Sequence, residues 1–462
     1  MSENLPAPKF LGRMESIGVL ARFLSRPLPT LRRLHETHGP FVFLTYPHST
    51  RRRPQMLACI SDPALYRAVF SDTAAWRPVN VAFRGLRNQA ATRLSFSMTR
   101  LRDEKHAHYR RLMTPPLSKT SVTAMSGSMS EIAARHVSGW PKDEPTDFIP
   151  LGSTLMQDLA ISLLFGHDHA RALPIASMIN VAVESAWPIP GPAYLRWLRV
   201  APKLERAIIE WGETKRGNAN ASDLFSILMN NPNDEGGPPD VPLIGGLLTF
   251  TFGAAYETCQ NALAWTLVLL AQHPQVAAEL AAEIDDAVGR GATTGAALES
   301  LPVLDGVTKE GMRLFAPVSI QFRRTRHATR LGPVSVPERM RVLVSAFLIN
   351  RNPEIYPEPE RFLPERWRTL KVSPYDYTVF GAGGRMCPGF AFGIQMVKTA
   401  LVAILTKYSL EIPAGSTIDH KMTITVAPHP HLPIVFRERT ARPQAHHLAG
   451  TVNELVELPA AN

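Results

Sequence analysis

The chain has 462 residues, is 45% apolar and carries 50 basic against 40 acidic side chains, a net charge of +10. That much apolar chain can bury a large core, and three cysteines cannot build a secreted disulfide framework, so a reducing compartment is expected. The basic excess is either a solvated surface or a face for an acidic partner, because aromatic residues are not interleaved with the basic ones in a nucleic-acid motif.

Residues 1–39 read as a lead segment, and residues 1–8 lack the charged start, apolar run and small-residue cleavage site of a signal peptide. Two apolar strands follow at 40–44 and 56–60, separated by a basic turn at 49–53. Helical periodicity then runs through 129–137, 153–165, 175–186, 203–214 and 222–229. The segment 241–272 is too long for a surface helix and apolar on most faces, which predicts a helix at the centre of the core. Glu257, Gln260 and Asn261 interrupt its middle, so a bilayer span is not expected and the protein reads as soluble and cytoplasmic.

Residues 322–349 alternate as strands do, broken at Gly332-Pro333, and 356–367 is proline-punctuated irregular chain. A further helix is expected from 390 to about 408. The Pro/Gly-rich stretches at 187–192 and 236–239 are too short to be linkers, so 40–438 reads as one large, mainly α domain with small β-sheets. The tail, 439–462, is expected to be poorly ordered. Cys59 and Cys259 read as small apolar core residues.

The most informative stretch is Phe380-Gly381-Ala382-Gly383-Gly384-Arg385-Met386-Cys387-Pro388-Gly389. One thiol lies among glycines, after an arginine and before a helix whose opening residue is expected to be Pro388. Glycines let the backbone approach a flat group and adopt positive φ, and a helix N-terminus favours a thiolate. A reduced cysteine in a glycine-rich turn is the other reading of an isolated thiol. The stretch closely matches the pattern FxxGxRxCxG, and on these residues the chain resembles the cytochrome P-450 family, haem-thiolate monooxygenases, from about residue 40 to about 435.

The resemblance implies heme b as cofactor, with Cys387 as its axial iron ligand and Phe380, Arg385 and Gly389 in the binding loop. A thiolate ligand donates electron density that favours O–O cleavage. His106 and Arg110, four residues apart on one helix turn, resemble the family's propionate contacts, and Arg324 would join them, although Arg323 beside it leaves the register open. Glu310 and Arg313 lie three apart on one helix face and can pair. They resemble the first members of a structural Glu–Arg–Arg cluster, completed by Arg366 of Pro364-Glu365-Arg366-Trp367, with Arg361 as the second candidate.

Within the central helix, Glu257-Thr258 resembles the family's acid–alcohol pair. Thr258 would hold a hydrogen bond or water toward dioxygen and Glu257 would link to the proton supply. A buried acid is costly without partners; the alternative is a back-bonded threonine beside a salt-bridged glutamate. The chain departs from the family pattern at Ala255, where glycine is usual.

Segments resembling pocket walls, 79–97, 187–194, 250–254 and 318–321, are mostly apolar, which points to a lipophilic substrate such as a terpenoid, fatty acid or steroid. Arg84, Arg87, Arg93, Arg100 and Arg102 are each expected to be solvated unless one meets a substrate carboxylate. The reading is a monomeric monooxygenase that inserts one oxygen atom of dioxygen with electrons from a separate ferredoxin or similar acidic donor and its reductase. Arg102, Lys105, Arg111 and Lys119 would form part of the docking face. The alternatives are a peroxide-driven peroxygenase and a non-enzymatic haem-based sensor or ligand carrier.

Overall fold

The run Phe41-Val42-Phe43-Leu44 is apolar on both faces, the composition of a strand covered on two sides. In the computed structural model, which describes residues 5–46, 55–79, 89–166, 168–185, 191–217, 222–292, 294–440 and 444–459, all four are buried. The described chain divides into two compact units, one of residues 1–80, 309–387 and 450–458, the other of 81–308, 388–449 and 459–462.

The first unit is built on a mixed six-stranded sheet, in the order Lys9–Phe10, Phe41–Tyr46, Gln55–Ile60, Arg341–Ser345, Ile320–Thr325, Trp76–Pro78. Phe41–Tyr46 pairs antiparallel with Gln55–Ile60, which pairs parallel with Arg341–Ser345. The expected turn at 49–53 lies outside the described residues. The lead segment holds two helices, Arg13–Ser25 and Pro27–His38, the second opened by a proline whose missing N–H costs nothing at that position. They escaped sequence reading because the apolar residues of the first helix do not mark its buried face. The β reading of 322–349 holds except at its end, where Ala346–Ile349 is a helical turn capped by Ser345.

The second unit is helical. Its central helix, Val241–Gln272, starts at Asp240, whose carboxylate accepts from Leu243 N at 3.1 Å, and ends before Pro274. Gly246 is required within it, since a Cβ there would lie 2.5 Å from the Phe96 carbonyl oxygen. Trp265 is fully buried and donates from Nε1 to Val426 O at 3.0 Å. Phe148–Phe165, Pro192–Lys215 and Leu224–Met229 contribute Phe165, Trp211 and Phe225, which close an aromatic cluster with Phe252 of the central helix. Among the described residues two helices, Phe148–Phe165 and Phe390–Lys407, are long and apolar enough to cross a membrane, and more than half of each is buried in protein.

The poorly ordered tail is not what the structure has. Residues 444–459 are described, and Leu448, Val452, Leu455 and Val456 are buried. In the first unit Arg361 and Glu457 form a parallel bridge, Glu457 N donates to Glu360 O at 3.0 Å, and the buried Arg351 guanidinium donates to Leu455 O. Backbone hydrogen bonding and four scattered apolar side chains hold this segment, and neither gives a periodic signal in sequence.

Candidate active site

Cys387 ends a loop closed on itself: its N–H donates to Phe380 O at 2.8 Å, and Gly381 N donates to Thr378 O at 3.0 Å. Gly381 and Gly383 have φ of 68° and 66°, and a Cβ on Gly383 would fall 2.1 Å from the Phe70 carbonyl oxygen, so only glycine fits there. Arg385 closes the short 3-10 turn Gly383–Arg385. The Cys387 side chain is half-buried. The following helix begins at Phe390 with Gly389 as its cap, so Pro388 precedes the cap instead of opening the helix. Cys59 and Cys259 are both buried and outside any disulfide, and burial pushes the Cys59 thiol up to about 12.

The glutamate–arginine cluster of the first unit positions this loop. Glu310 and Arg313 are wholly buried. Arg313 donates from Nε and Nη2 to the two Glu310 oxygens at 2.9 and 2.8 Å. Its remaining donors reach Asn350 O and Pro359 O, each at 2.8 Å, and Arg361 O at 3.2 Å. All five guanidinium N–H groups are therefore engaged, the fork geometry that lysine cannot reproduce. Arg366 supplies the third side chain, Nε to Glu310 Oε1 at 3.0 Å, whereas the Arg361 guanidinium turns outward to Glu358.

Sequence reasoning missed Trp367, whose Nε1 donates to Glu310 Oε2 at 2.9 Å. Its ring meets Tyr377 edge-on at 5.2 Å between centroids, and Tyr377 lies against Phe380 at 6.4 Å. A packed path thus runs from the buried carboxylate to the residue that accepts the Cys387 N–H.

Arg323 and Arg324 are adjacent on the strand Ile320–Thr325 and so face opposite sides of the sheet. Arg323 lies over the Phe70 ring at 3.8 Å. Burial first, and then the nearby Arg385 charge, hold its pKa down to about 10. Arg323 lies close enough to Arg385 to feel its charge. Arg324 is half-buried and opposite Arg77 on the neighbouring strand. In the second unit His106 and Arg110 lie one turn apart on Asp103–Met113, both half-buried.

Along the central helix Phe250 and Ala254 are exposed and Thr258 half-buried, four residues apart each, in a helix otherwise largely enclosed. They mark the exposed face of this helix. Thr258 donates its hydroxyl proton to Ala254 O at 2.7 Å, which leaves the oxygen lone pairs to accept. Glu257 makes no salt bridge among the described residues. Its Oε1 accepts from Thr425 Oγ1 at 2.7 Å, and Thr425 accepts in turn from Asn261 Nδ2 at 3.0 Å. Thr425 is 168 residues away, and no sequence signal could have found it.

Burial pushes the Glu257 carboxyl upward, and the Thr425 hydrogen bond pulls part of the way back. The folded chain therefore binds a proton here more tightly than the unfolded chain, and stability falls with pH from about 4.3 to the raised value. Glu257→Gln, which can still accept from Thr425, is expected to melt above wild type near pH 8. That advantage should shrink as the pH falls toward about 5 in paired melts.

The remaining basic candidates are largely engaged. Arg93 forms a two-point pair with Glu205, both contacts 2.6 Å, and Arg100 donates to Ser95 Oγ at 2.8 Å, so neither is the solvated residue expected. Lys105 pairs with Asp234 and Lys119 with Glu299, while Arg102 and Arg111 are exposed. Arg84, Arg87 and much of the segments 79–97 and 187–194 lie outside the described residues.

The Cytochrome P450 family pattern matches residues 18–435, running through both units, and the chain belongs to that family as a P450-type monooxygenase. It is 27% identical over 426 residues to Cyclooctat-9-en-7-ol 5-monooxygenase of Streptomyces melanosporofaciens, covering 88% of this chain and 90% of the relative. It is 28% identical over 348 residues to Cyclooctatin synthase of the same organism, covering 70% and 75%. Among solved structures, retinoic acid bound cyanobacterial CYP120A1 is similar in fold, with a TM-score of 0.75 at 19% identity over 94% of this chain and 99% of that one.

Proposed function

We propose that Cys387 ligates the iron of heme b and that the protein inserts one oxygen atom of dioxygen into a lipophilic, terpenoid-like substrate. The observation that carries the reading is the closed, glycine-dependent Cys387 loop braced through Phe380, Tyr377 and Trp367 to the buried Glu310–Arg313–Arg366 cluster. Arg385, with His106, Arg110 and one of Arg323 and Arg324, would hold the propionates, and the nearness of Arg323 to Arg385 favours Arg323. Bound in this way, the haem supplies oxygen activation, with the thiolate as electron donor to the iron.

The chain's own residues manage protons and access. Thr258, its proton committed to Ala254 O, accepts a hydrogen bond from water at the open face of the central helix. Glu257, held in a raised-pKa state by burial and oriented by Thr425, exchanges a proton at Oε1 or Oε2. The relative named for oxidation of cyclooctat-9-en-7-ol supports a terpenoid-like substrate, and the apolar segments 250–254 and 318–321 suit it. Electrons come from a separate acidic ferredoxin-type donor and its reductase, with the exposed Arg102 and Arg111 in the docking face. Three cysteines, none of them in a disulfide, suit a monomeric protein of the reducing cytoplasm.

The test is Thr258→Ala in the purified holoprotein with a saturating substrate and a competent donor. Haem spectra and substrate affinity are expected to stay near wild type, while product per reducing equivalent falls severalfold and hydrogen peroxide rises. Unchanged coupling would make Thr258 structural and would favour the peroxide-driven reading, which turnover with peroxide alone would then establish.

A further inference from the structure

The N-terminal helix Arg13–Ser25 packs Val19 inward, with Leu20 and Phe23 half-buried beside it, and carries a second apolar face outward. Its buried residues are Ser16 and Val19, and Ser16 Oγ accepts from Thr45 N at 2.9 Å. Met14, Ile17, Ala21 and Leu24, spaced three, four and three apart, form one stripe on the opposite side. Met14 is 81% exposed, Leu24 79% and Ile17 39%, and Phe10, four residues before Met14, is 55% exposed while its ring stacks on the buried Phe43. A helix that packs on a core needs one apolar stripe; this one presents a second to solvent.

The charges around the stripe are mostly of one sign. Residues 9–33 contain six basic side chains, Lys9, Arg13, Arg22, Arg26, Arg32 and Arg33, and one acidic side chain, Glu15. Glu15 is engaged by His38 at 3.2 Å, and Arg32 and Arg26 pair with Glu360 and Glu454. Lys9, Arg13, Arg22 and Arg33 make no ion pair among the described residues. Arg13 and Arg22 flank the stripe on its two sides, as successive residues turn by about 100°.

An exposed apolar stripe bordered by uncommitted cations is the pattern of a helix that lies in a membrane interface, its apolar side chains among the acyl chains and its cations at anionic headgroups. A second copy of the same helix would instead bring the two arginine borders together. We infer that Arg13–Ser25 and Phe10 dock the protein on anionic lipid surfaces, as a peripheral contact and not as a span.

The holoprotein would be sedimented with vesicles of phosphatidylcholine alone and of phosphatidylcholine with phosphatidylglycerol. Wild type is expected to pellet with the anionic vesicles and to be released by salt. Met14→Ser with Leu24→Ser, and separately Arg13→Glu with Arg22→Glu, should each lower the partition about tenfold with unchanged haem spectra. The proposal is overturned if wild type stays in solution with both vesicles, or if both double variants bind as wild type does. A wild-type dimer that ignores vesicles and that the Met14/Leu24 variant dissociates, read by sedimentation velocity, would overturn it in favour of self-association.

Discussion

Cys387→Ser is expected to give a folded chain whose reduced carbon monoxide complex has lost the red-shifted absorption that a thiolate ligand produces. The loop does not depend on sulfur for its shape. Its closure rests on the Cys387 N–H to Phe380 O hydrogen bond and on the positive φ of Gly381 and Gly383. Serine keeps the backbone donor and is similar in size, but a hydroxyl is a far poorer ligand for iron. The melting temperature of the haem-free chain should therefore stay close to wild type while ligation and turnover disappear. Retention of the red-shifted band in the purified variant would remove Cys387 from the iron.

Arg313→Ala should act in the opposite way, on the fold before the chemistry. Truncation leaves the buried Glu310 carboxylate without its two-point partner and strips donors from the carbonyls of Asn350, Pro359 and Arg361. Breaking such a buried pair costs about 3–5 kcal/mol. Since Glu310 also orders Trp367, the Trp367–Tyr377–Phe380 path should loosen and haem should be lost more readily. Arg313→Lys is expected to recover little, because one ammonium cannot serve five fixed directions. Thermal melts and haem content after gel filtration decide the matter, and values equal to wild type would show the cluster to be dispensable.

How much of this was legible in the sequence depended on whether the signal was local. The Val241–Gln272 helix was read to the residue because thirty-two residues that are apolar on most faces leave no competing period. The Glu310–Arg313 pair was legible for the same reason: both partners lie on one helix turn. Arg366 was chosen over Arg361 from its motif, yet Trp367, one residue further on, was passed over because an indole donating to a buried carboxylate has no sequence mark. Arg323 and Arg324 could not be separated without strand register, which the pairing of Arg324 opposite Arg77 supplies. The support of Glu257 by Thr425 and Asn261 is a contact across a long stretch of chain, invisible to any window. The N-terminal helix was missed because a second apolar stripe points outward.

The packed tail changes where this protein ends as a folding unit. The family match stops at residue 435, yet Leu455 O accepts a hydrogen bond from the buried Arg351, and Glu457 bridges Arg361 and donates to Glu360 O. Arg351 also donates to Leu314 O at 2.6 Å, at the end of the helix that carries Glu310 and Arg313. A gene trimmed to the family's extent would leave a buried cation short of an acceptor and the Glu360 carbonyl without its backbone donor. Affinity tags and fusion partners belong beyond residue 459, and shortened versions should be judged by their aggregation before their turnover.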